Sequence, residues 1–365
     1  MRRRWKALLT ADLHLGDKMY QLREREQDVY DACKQVMQIA KSSGVDIVIV
    51  AGDAFDTGRP QASAVAALKN AVDEFGGPVF GIEGNHDRVG TGEWLSVCGV
   101  TPLSMREYDP DLGVYGIDHE RPSELMARLE ELATMCEENE QTIPLLVLHC
   151  GFLELGDPFA AEVTFDNVMP YLKRMGTKTV CVGHIHKHQV AVYTKDGYSV
   201  TFIQPGSIEV GSVNEEKEKV VYLVEFGNDG ITACSAAKLS TRPFKEYRLD
   251  SADDYASFVD GIEKDAEAKN ALNIIRYRST VNEISNGIDA LMRRLGLLYK
   301  KLPYCEELAV EEVERDHQLI SLESIVADYY EKGGDVYELL MLMLNNPEKT
   351  AEKAEQYILG KDYKN

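Results

Sequence analysis

The chain has 365 residues, of which 44% are hydrophobic and 28% charged, a composition typical of a soluble globular protein with more than one domain. No apolar stretch long enough for a signal peptide or a membrane span follows Arg2, Arg3 and Arg4, so we expect no membrane association. The seven cysteines contain no C-x-x-C pair, which disfavours a disulfide framework and a zinc knuckle and favours a cytoplasmic location.

The net charge of −21 by itself argues against a polyanionic partner such as DNA. The charge is unevenly distributed, however. Residues 1–60 hold ten basic and nine acidic residues, a balance of +1, so the rest of the chain carries −22. Much of the acid lies in residues 124–140 and after 305, where solvated helix faces are expected. The acidity therefore does not exclude an anion-binding site near the N-terminus.

Short apolar runs alternate with helical patterns over residues 1–240, which predicts an α/β domain. The runs are WKALLTA, VDIVIVA, PVFGIE, LGVYGI, IPLLVLH, TKTVCVG, VTFIQP and KVVYLVEF. The pattern then changes: Ser251 is a predicted N-cap, with Asp254 at the capping-box position of an amphipathic helix. A strand-like ALNIIRYRS and another helix follow, which predicts a smaller domain over residues 241–315.

Residues 316–365 predict a C-terminal helical hairpin. Apolar residues recur at i, i+3, i+4 and i+7 on each side of the Gly333–Gly334 pair, which ends the first helix. The two stripes are Leu322, Ile325, Val326 and Tyr329, and Val336, Leu339, Leu340 and Met343. Two interpretations stay open. The hairpin packs on the preceding domain, or it packs on a partner coiled coil.

Polar side chains follow five of the apolar runs, at the points where the predicted strands end. Because the ligand crevice of an α/β sheet lies beyond the carboxyl ends of its strands, these side chains are expected to converge. Imidazole, carboxylate and amide ligands without thiolate suit divalent Mn, Fe or Zn. The candidate ligands are Asp12, His14, Asp53, Asn85, His149, His184 and His186.

Seven ligands are too many for one tetrahedral ion, but they give four contacts to each of two ions if Asp53 bridges. Each motif alone has an ordinary explanation, as a cap, a turn or a core histidine. Their concurrence favours a metal site, since five of the eight histidines fall within these strand-end motifs. The other three, His119, His188 and His317, have no such setting.

The ordered set D-x-H, GD-x-x-D, GNHD, a strand-end His and GH-x-H resembles the calcineurin-like metallophosphoesterase superfamily. The segments GDAFDTGRP, GNHDR, GHIHKHQ, PGSIEVGSVNEEKEKVVYLVEF and LSTRPF narrow the resemblance to the nuclease subunit of the SbcCD-type DNA double-strand-break repair complex and its tailed-phage relatives. The resemblance implies two packed mixed β-sheets flanked by helices over residues 1–240 and a DNA-capping domain over 241–315. Residues 316–365 would bind the coiled coil of an SMC-like ATPase.

The resemblance also implies roles for individual residues. His86 would face the substrate phosphate, Asp87 would orient its ring, and Asp56, where some relatives carry His, would orient a histidine ligand. One ion would be held by Asp12, His14, Asp53 and His186, and the other by Asp53, Asn85, His149 and His184. Candidate DNA contacts in loops after the metal motifs are Lys18, Arg23, Arg25, Arg59 and Arg88.

The implied activity is that of a homodimeric, Mn²⁺-dependent exonuclease and endonuclease that processes DNA ends. A phosphatase or phosphodiesterase acting on small phosphoesters would use the same metal core and is the alternative. It gives no reason, however, for the 120 residues after residue 245 or for the FDTGRP and STRPF signatures. A non-catalytic scaffold would tolerate the loss of ligands, and none of the expected ligands is missing.

Overall fold

The computed structural model describes residues 4–87, 93–104, 108–109, 112–156, 160–227, 230–278 and 282–304. These residues belong to one unit, Met1–Tyr304. Two predictions lie outside the described residues: the C-terminal hairpin over 316–365 and the DNA contact at Arg88. No helix among the described residues is both long enough and apolar enough to span a membrane.

Fourteen strands, seven α-helices and three short 3₁₀ helices make up the described chain. The strands are β1 (Trp5–Thr10), β2 (Ile47–Ala51), β3 (Val79–Ile82), β4 (Val100–Pro102), β5 (Val114–Gly116), β6 (Leu145–His149), β7 (Thr179–Gly183), β8 (Gln189–Lys195), β9 (Tyr198–Gln204), β10 (Lys219–Gly227), β11 (Gly230–Leu239), β12 (Phe244–Leu249), β13 (Leu272–Arg278) and β14 (Tyr299–Tyr304). The helices are α1 (Arg23–Ser42), α2 (Ala62–Phe75), α3 (Glu93–Val97), α4 (Pro122–Glu138), α5 (Phe165–Arg174), α6 (Ala252–Ile262) and α7 (Asn282–Leu295).

Two mixed sheets pack face to face, as predicted. The first has the order β11-β10-β1-β2-β3-β4, in which β1 to β4 are parallel and β10 runs antiparallel to β1. The second has the order β5-β6-β7-β9-β8, with only the edge strand β8 antiparallel. Leu9 and Ile49 of the first sheet share a core with Val147 and Ile203 of the second. The predicted arrangement of two mixed sheets is therefore confirmed.

Helices cover the outer faces of both sheets. Val36 of α1 and Leu68 of α2 pack on the first sheet, and Leu129 of α4 and Leu172 of α5 pack on the second. Parallel strands covered on both faces are expected to be apolar along their whole length, and β2, with the sequence IVIVA, is buried at every position. Seven of the eight apolar runs of the sequence thus correspond to interior strands, and the eighth, LGVYGI, forms the edge strand β5.

A third sheet of three parallel strands, β12-β13-β14, follows the sandwich. Its one face packs against α6 and α7, through Phe258 and Met292. Ser251 caps α6 by accepting a hydrogen bond from the Asp254 amide, in the predicted capping box. The other face, at Leu272 and Ile274, packs on Met19 in the turn that follows the first polar motif. The small α/β domain therefore touches a loop of the sandwich close to the candidate ligands.

Candidate metal centre

The predicted ligands converge where the two sheets meet. The Asp12 carboxylate, at the end of the first sheet's central strand, accepts a hydrogen bond from the His184 amide of the second sheet at 3.0 Å. The carboxyl ends of five strands thus face one place, as expected for an α/β crevice. Asp12 follows β1, Asp53 follows β2, Asn85 follows β3, His149 ends β6, and His184 and His186 follow β7.

Four of these residues have a left-handed backbone. The φ angles are 50° for Asp12, 45° for His14, 49° for Asp53 and 98° for His184. Residues other than glycine adopt this region at a steric cost, and such residues concentrate at functional sites. Backbone hydrogen bonds hold the conformation, among them His14 N–H to the Asp53 carbonyl at 3.0 Å. The chain therefore turns sharply after β1, β2 and β7 and keeps the ligands beside these strands.

Glycines before the ligands allow the loops to approach one another. A Cβ on Gly84 would lie 2.0 Å from Asp53 Oδ1 and 2.4 Å from the Asp53 amide nitrogen. A Cβ on Gly52, which has a φ of +87°, would lie 2.1 Å from His149 Nδ1. The glycines of the GD and GN motifs are thus required by close packing, because any side chain would displace a neighbouring candidate ligand.

The first ligand group contains two imidazoles that face each other. His14 Nε2 and His186 Nε2 are 3.0 Å apart, and ligand atoms of both lie within 4.8 Å of one on Asp12. The Nδ1 atom of each ring lies near a carboxylate: Asp56 Oδ1 is 3.7 Å from His14, and Glu215 Oε1 is 3.1 Å from His186. A carboxylate on Nδ1 leaves the Nε2 lone pair for a metal ion. Glu215 is within hydrogen-bond distance of His186 and so directs its Nε2 toward His14, whereas Asp56 is only an electrostatic neighbour of His14.

The second group is arranged around Asn85. Its Oδ1 atom lies 3.0 Å from His149 Nε2 and 3.0 Å from His184 Nδ1. His149 Nδ1–H donates to the Ala51 carbonyl at 2.8 Å, which directs Nε2 into the site. Asp53 Oδ2 lies 3.3 Å from His149 Nε2 and 3.8 Å from His14 Nε2. Asp53 is therefore in reach of both groups.

The buried carboxylates draw positive charge into the site. Burial opposes the ionisation of Asp53, but its hydrogen bond to His149 and the charge of that ring hold the pKa of Asp53 well below its usual range. Burial opposes protonation of His149, yet Asp53 and Asp12 raise the pKa of His149 to about 9. A divalent cation satisfies the same two carboxylates. The charge balance of the site therefore fits a bound metal ion.

The interpretation of Asp87 as the group that orients the His86 ring is wrong. Asp87 is buried, and its carboxylate accepts hydrogen bonds from the amides of Ala54, Phe55 and Gly84 at 2.8–3.0 Å. It thereby shapes the loop after β2. The His86 ring is 41% exposed, and its Nδ1 lies 2.9 Å from the carbonyl oxygen of Asp56, which orients the ring instead.

The candidate DNA contacts divide into exposed and buried residues. Arg23 and Arg59 are exposed, and Lys18 pairs with Glu26 at 3.3 Å. Arg25 is 1% exposed and pairs with Asp28 and Glu209, so the prediction that it contacts DNA is wrong. The reason is its place on the buried face of α1, which also carries Val29, Ala32 and Val36.

Two residues that the sequence did not single out lie beside the predicted ligands. The His119 ring stacks on that of His184 at 5.9 Å, and its Nδ1–H donates to the His149 carbonyl at 3.0 Å. The expectation that His119 has no strand-end setting is wrong, because it follows β5, whose carboxyl end lies at the same edge. The second residue, Glu215, contacts His186. Burial opposes ionisation of Glu215, but His186 and Lys219 lower the pKa of Glu215 to about 2. Its charged run NEEKEK gave no signal of this contact.

The fold and the donor set are those of a metal-dependent phosphoesterase. The sequence model of the Calcineurin-like phosphoesterase family matches residues 6–188, a range that includes every predicted ligand, and the chain belongs to this family. Membership of the superfamily, predicted from the motifs, is confirmed.

Two relatives share one name. DNA double-strand break repair protein Mre11 of Haloferax volcanii is 33% identical over 265 residues, which cover 70% of this chain and 56% of the relative. The chain thus spans little more than half of that protein. The protein of the same name from Methanocaldococcus jannaschii is 24% identical over 372 residues, covering 95% of this chain and 96% of the relative. A solved dimetal phosphatase from Danio rerio has a TM-score of 0.44 and 13% identity, covering 65% of this chain and 99% of that one.

Proposed function

We propose that this chain is a two-metal DNA nuclease that processes DNA ends in double-strand-break repair and recombination. The observation that carries the proposal is the convergence of seven candidate ligand side chains in two groups, with Asp53 within reach of both. Membership of a phosphoesterase family supports hydrolysis of a phosphoester. Relatives named for DNA double-strand break repair support DNA as the substrate.

The two ions would be Mn²⁺, since carboxylate, imidazole and amide donors without thiolate suit it. Divalent ions at such a site act as Lewis acids on the phosphoryl oxygens and lower the pKa of the attacking water. Two divalent ions carry a charge of +4, and the carboxylates of Asp12 and Asp53 cancel two of these charges. The site would therefore be locally positive and attract a phosphate, although the protein as a whole is acidic. Asp12, His14, Asp53 and His186 would hold one ion, and Asp53, Asn85, His149 and His184 the other.

His86 would be the catalytic residue that faces the substrate. Its amide donates to Asp53 Oδ1 at 2.8 Å, which fixes its backbone beside the predicted bridging carboxylate. Its Nδ1–H donates to the Asp56 carbonyl, so Nε2 is turned toward the open side of the site. From there, the imidazolium form of His86, which carries a proton on each ring nitrogen, would donate its Nε2 proton to the leaving sugar oxygen and become the neutral Nδ1–H ring, a role worth about 10²- to 10⁴-fold in rate.

DNA would lie between the sandwich and the capping domain, residues 241–315. Ile274 of β13 pairs in register with Lys300 of β14, so the face that packs on the Met19 turn also carries Lys300. The Nζ atom of Lys300 lies 5.1 Å from the centroid of the Tyr20 ring. Arg276, two residues beyond Ile274, is on this same face. These cations, with Lys18, Arg23 and Arg59, would contact backbone phosphates.

Partners extend the proposal beyond the described residues. We propose a cytoplasmic homodimer whose residues 316–365 bind the coiled coil of an SMC-like ATPase in the helix-in-groove manner. Ending the chain at residue 316 should preserve Mn²⁺-dependent cleavage of single-stranded DNA and abolish co-purification with the ATPase. A truncated protein that still binds the ATPase as tightly as the full chain contradicts this assignment.

Substrate choice tests the function. The full chain is incubated with linear DNA, p-nitrophenyl phosphate and bis-p-nitrophenyl phosphate, with Mn²⁺ or with EDTA. We expect Mn²⁺-dependent release of nucleotides, no cleavage in EDTA, and little turnover of the small esters. Turnover of small esters without cleavage of DNA supports the alternative, a phosphatase or small-molecule phosphodiesterase.

His86→Leu tests the catalytic role. It should abolish cleavage while two Mn²⁺ ions stay bound per chain, because it removes no ligand. His188→Leu is the matched control, since the ring of His188 pairs with Glu216 and not with a predicted ligand. Loss of both ions in His86→Leu contradicts the assignment.

A further inference from the structure

A carboxylate that is not a predicted ligand contacts the ring of His186. Glu215 Oε1 lies 3.1 Å from His186 Nδ1. Its other oxygen accepts hydrogen bonds from Lys219 Nζ and from the Gly211 amide, each at 3.0 Å. Because these two donors fix the Oε2 side, Oε1 is held in place to accept the Nδ1–H of the ring.

Lys219 supports this carboxylate from the interior. It is the first residue of β10, is 2% exposed, and donates to Ser207 Oγ at 2.8 Å and to the His186 carbonyl at 3.3 Å as well as to Glu215. The ammonium group thus uses all three of its donors. A buried ammonium is tolerated only with an ionic partner and satisfied hydrogen bonds. Lys219 therefore anchors His186 twice, through its backbone and through the carboxylate on its ring.

We propose that Glu215 and Lys219 are positioning residues that set the tautomer and orientation of His186 for binding a metal ion, an inference that rests on the proposed function. Donation of Nδ1–H to Glu215 leaves Nε2 without a proton. That Nε2 is the atom 3.0 Å from His14 Nε2 in the first ligand group. A carboxylate partner also makes the imidazole a stronger donor, and losing such a partner costs about 10- to 100-fold in metal affinity.

The contact also gives the segment between β9 and β10 a function. Residues 205–218 carry both the Gly211 amide and the Glu215 carboxylate to the site, and Glu209 of the same segment pairs with Arg25 on α1. The segment is therefore fixed at both the sandwich core and the candidate metal centre. His186 is the point at which this fixed segment reaches a predicted ligand.

Glu215→Gln tests the inference by calorimetric titration with Mn²⁺. The amide keeps the size of the side chain but removes its charge and presents an N–H either to Lys219 or to His186. We expect one of two Mn²⁺ ions to bind about 10- to 100-fold more weakly and the other to change less than twofold. Glu216→Gln is the matched control, since Glu216 pairs with His188, and both of its ions should bind as in the wild type. Equal affinity in Glu215→Gln and the wild type overturns the proposal.

A second variant and a second measurement separate a loss of positioning from misfolding of the variant. The Glu215→Gln, Lys219→Gln double variant leaves no unpaired ammonium, and it should fold and still show the weakened ion. Long-range ¹H–¹⁵N spectra of the metal-free protein should show His186 protonated on Nδ1 in the wild type and in Glu216→Gln, with this preference lost in both Glu215 variants. An unchanged tautomer in these variants refutes the positioning role. A wild type that binds Mn²⁺ but cleaves no DNA refutes only the proposed function.

Discussion

Replacing Arg25 by methionine removes the centre of a buried ion network. The guanidinium donates to Asp28 Oδ2 at 2.7 Å, to Glu209 Oε1 at 3.1 Å and to the Val210 carbonyl at 2.8 Å. Methionine fills much of the space of the arginine stem but leaves the Glu209 carboxylate in the interior. Even with Arg25 present, burial raises the pKa of Glu209 above its usual range. Most of the stability lost in the substitution therefore comes from leaving the Glu209 carboxylate buried without its cationic partner.

The expected loss of stability is about 3–5 kcal/mol, the cost of removing one partner of a buried ion pair. Asp28 is not orphaned, since Arg242 donates to both of its oxygens at 2.6 and 2.7 Å. A unit of this size, Met1–Tyr304, has an unfolding entropy of about 0.6 kcal/mol/K. The melting temperature should therefore fall by about 5–8 °C.

Thermal unfolding followed by circular dichroism measures the effect. Arg23→Met, at an exposed position in the same helical turn, is the matched control and should change stability by less than about 0.5 kcal/mol. The double variant Arg25→Met, Glu209→Gln should recover part of the loss, because it removes the unpaired charge.

The pH dependence has a definite sign. Without Arg25, the pKa of Glu209 in the folded state rises further above its unfolded value. A raised folded-state pKa contributes stability that is present below the unfolded value and lost as pH rises through the folded value. The loss of folding stability in Arg25→Met should therefore be greatest at neutral pH and should become smaller toward pH 4. A variant that keeps the wild-type melting temperature but loses DNA affinity would refute the reasoning and restore Arg25 as a DNA contact.

Three further substitutions and modifications test the site and the core. Asn85→Ala should weaken the binding of one of two Mn²⁺ ions by about tenfold or more in calorimetric titrations, because Asn85 Oδ1 lies 3.0 Å from ring nitrogens of both His149 and His184 in the second group; equal weakening at both sites contradicts this. Gly84→Ala should impair both ions in the same titration, since its Cβ would lie 2.0 Å from Asp53 Oδ1, whereas Gly261→Ala, with no described atom within 4 Å, should not. Among the described cysteines only Cys234 is exposed, and burial raises the pKa of Cys33 to about 12, so peptide mapping should find a thiol reagent on Cys234 well before Cys33; equal rates would contradict the burial.

The sequence predicted the central strands and the meeting of the polar motifs because both depend on local pattern. An uninterrupted run such as IVIVA indicates a strand covered on both faces, and a glycine followed by a polar residue marks its end. The role of each polar residue at the site stays a prediction, although the geometry brings the seven donors together.

The errors concern side chains whose partners are distant in the chain. Arg25 pairs with Glu209, 184 positions away, and nothing in the local sequence indicates that partner. Its spacing to Val29 and Val36 on one helix face was the available sign of burial. Asp87 follows an exposed histidine yet turns inward to three backbone amides. Glu215 lies in a charged run of the kind that usually forms a solvated surface. Only the pairing of β10 with β1 shows that this run lies beside the candidate metal centre.

The position of β1 between β2 and β10 has a consequence for synthesis of the chain. After β1 leaves the ribosome, roughly 200 residues must follow before its antiparallel neighbour exists, which takes about 10–40 s at 5–20 residues per second. During this interval β1 has an open edge with unpaired backbone groups beside the apolar side chains of Ala7, Leu8 and Leu9. Open apolar edges recruit other chains. A product that stops before Lys219 lacks β10 and leaves this edge unpaired, so we expect premature termination to yield aggregates rather than a shorter enzyme.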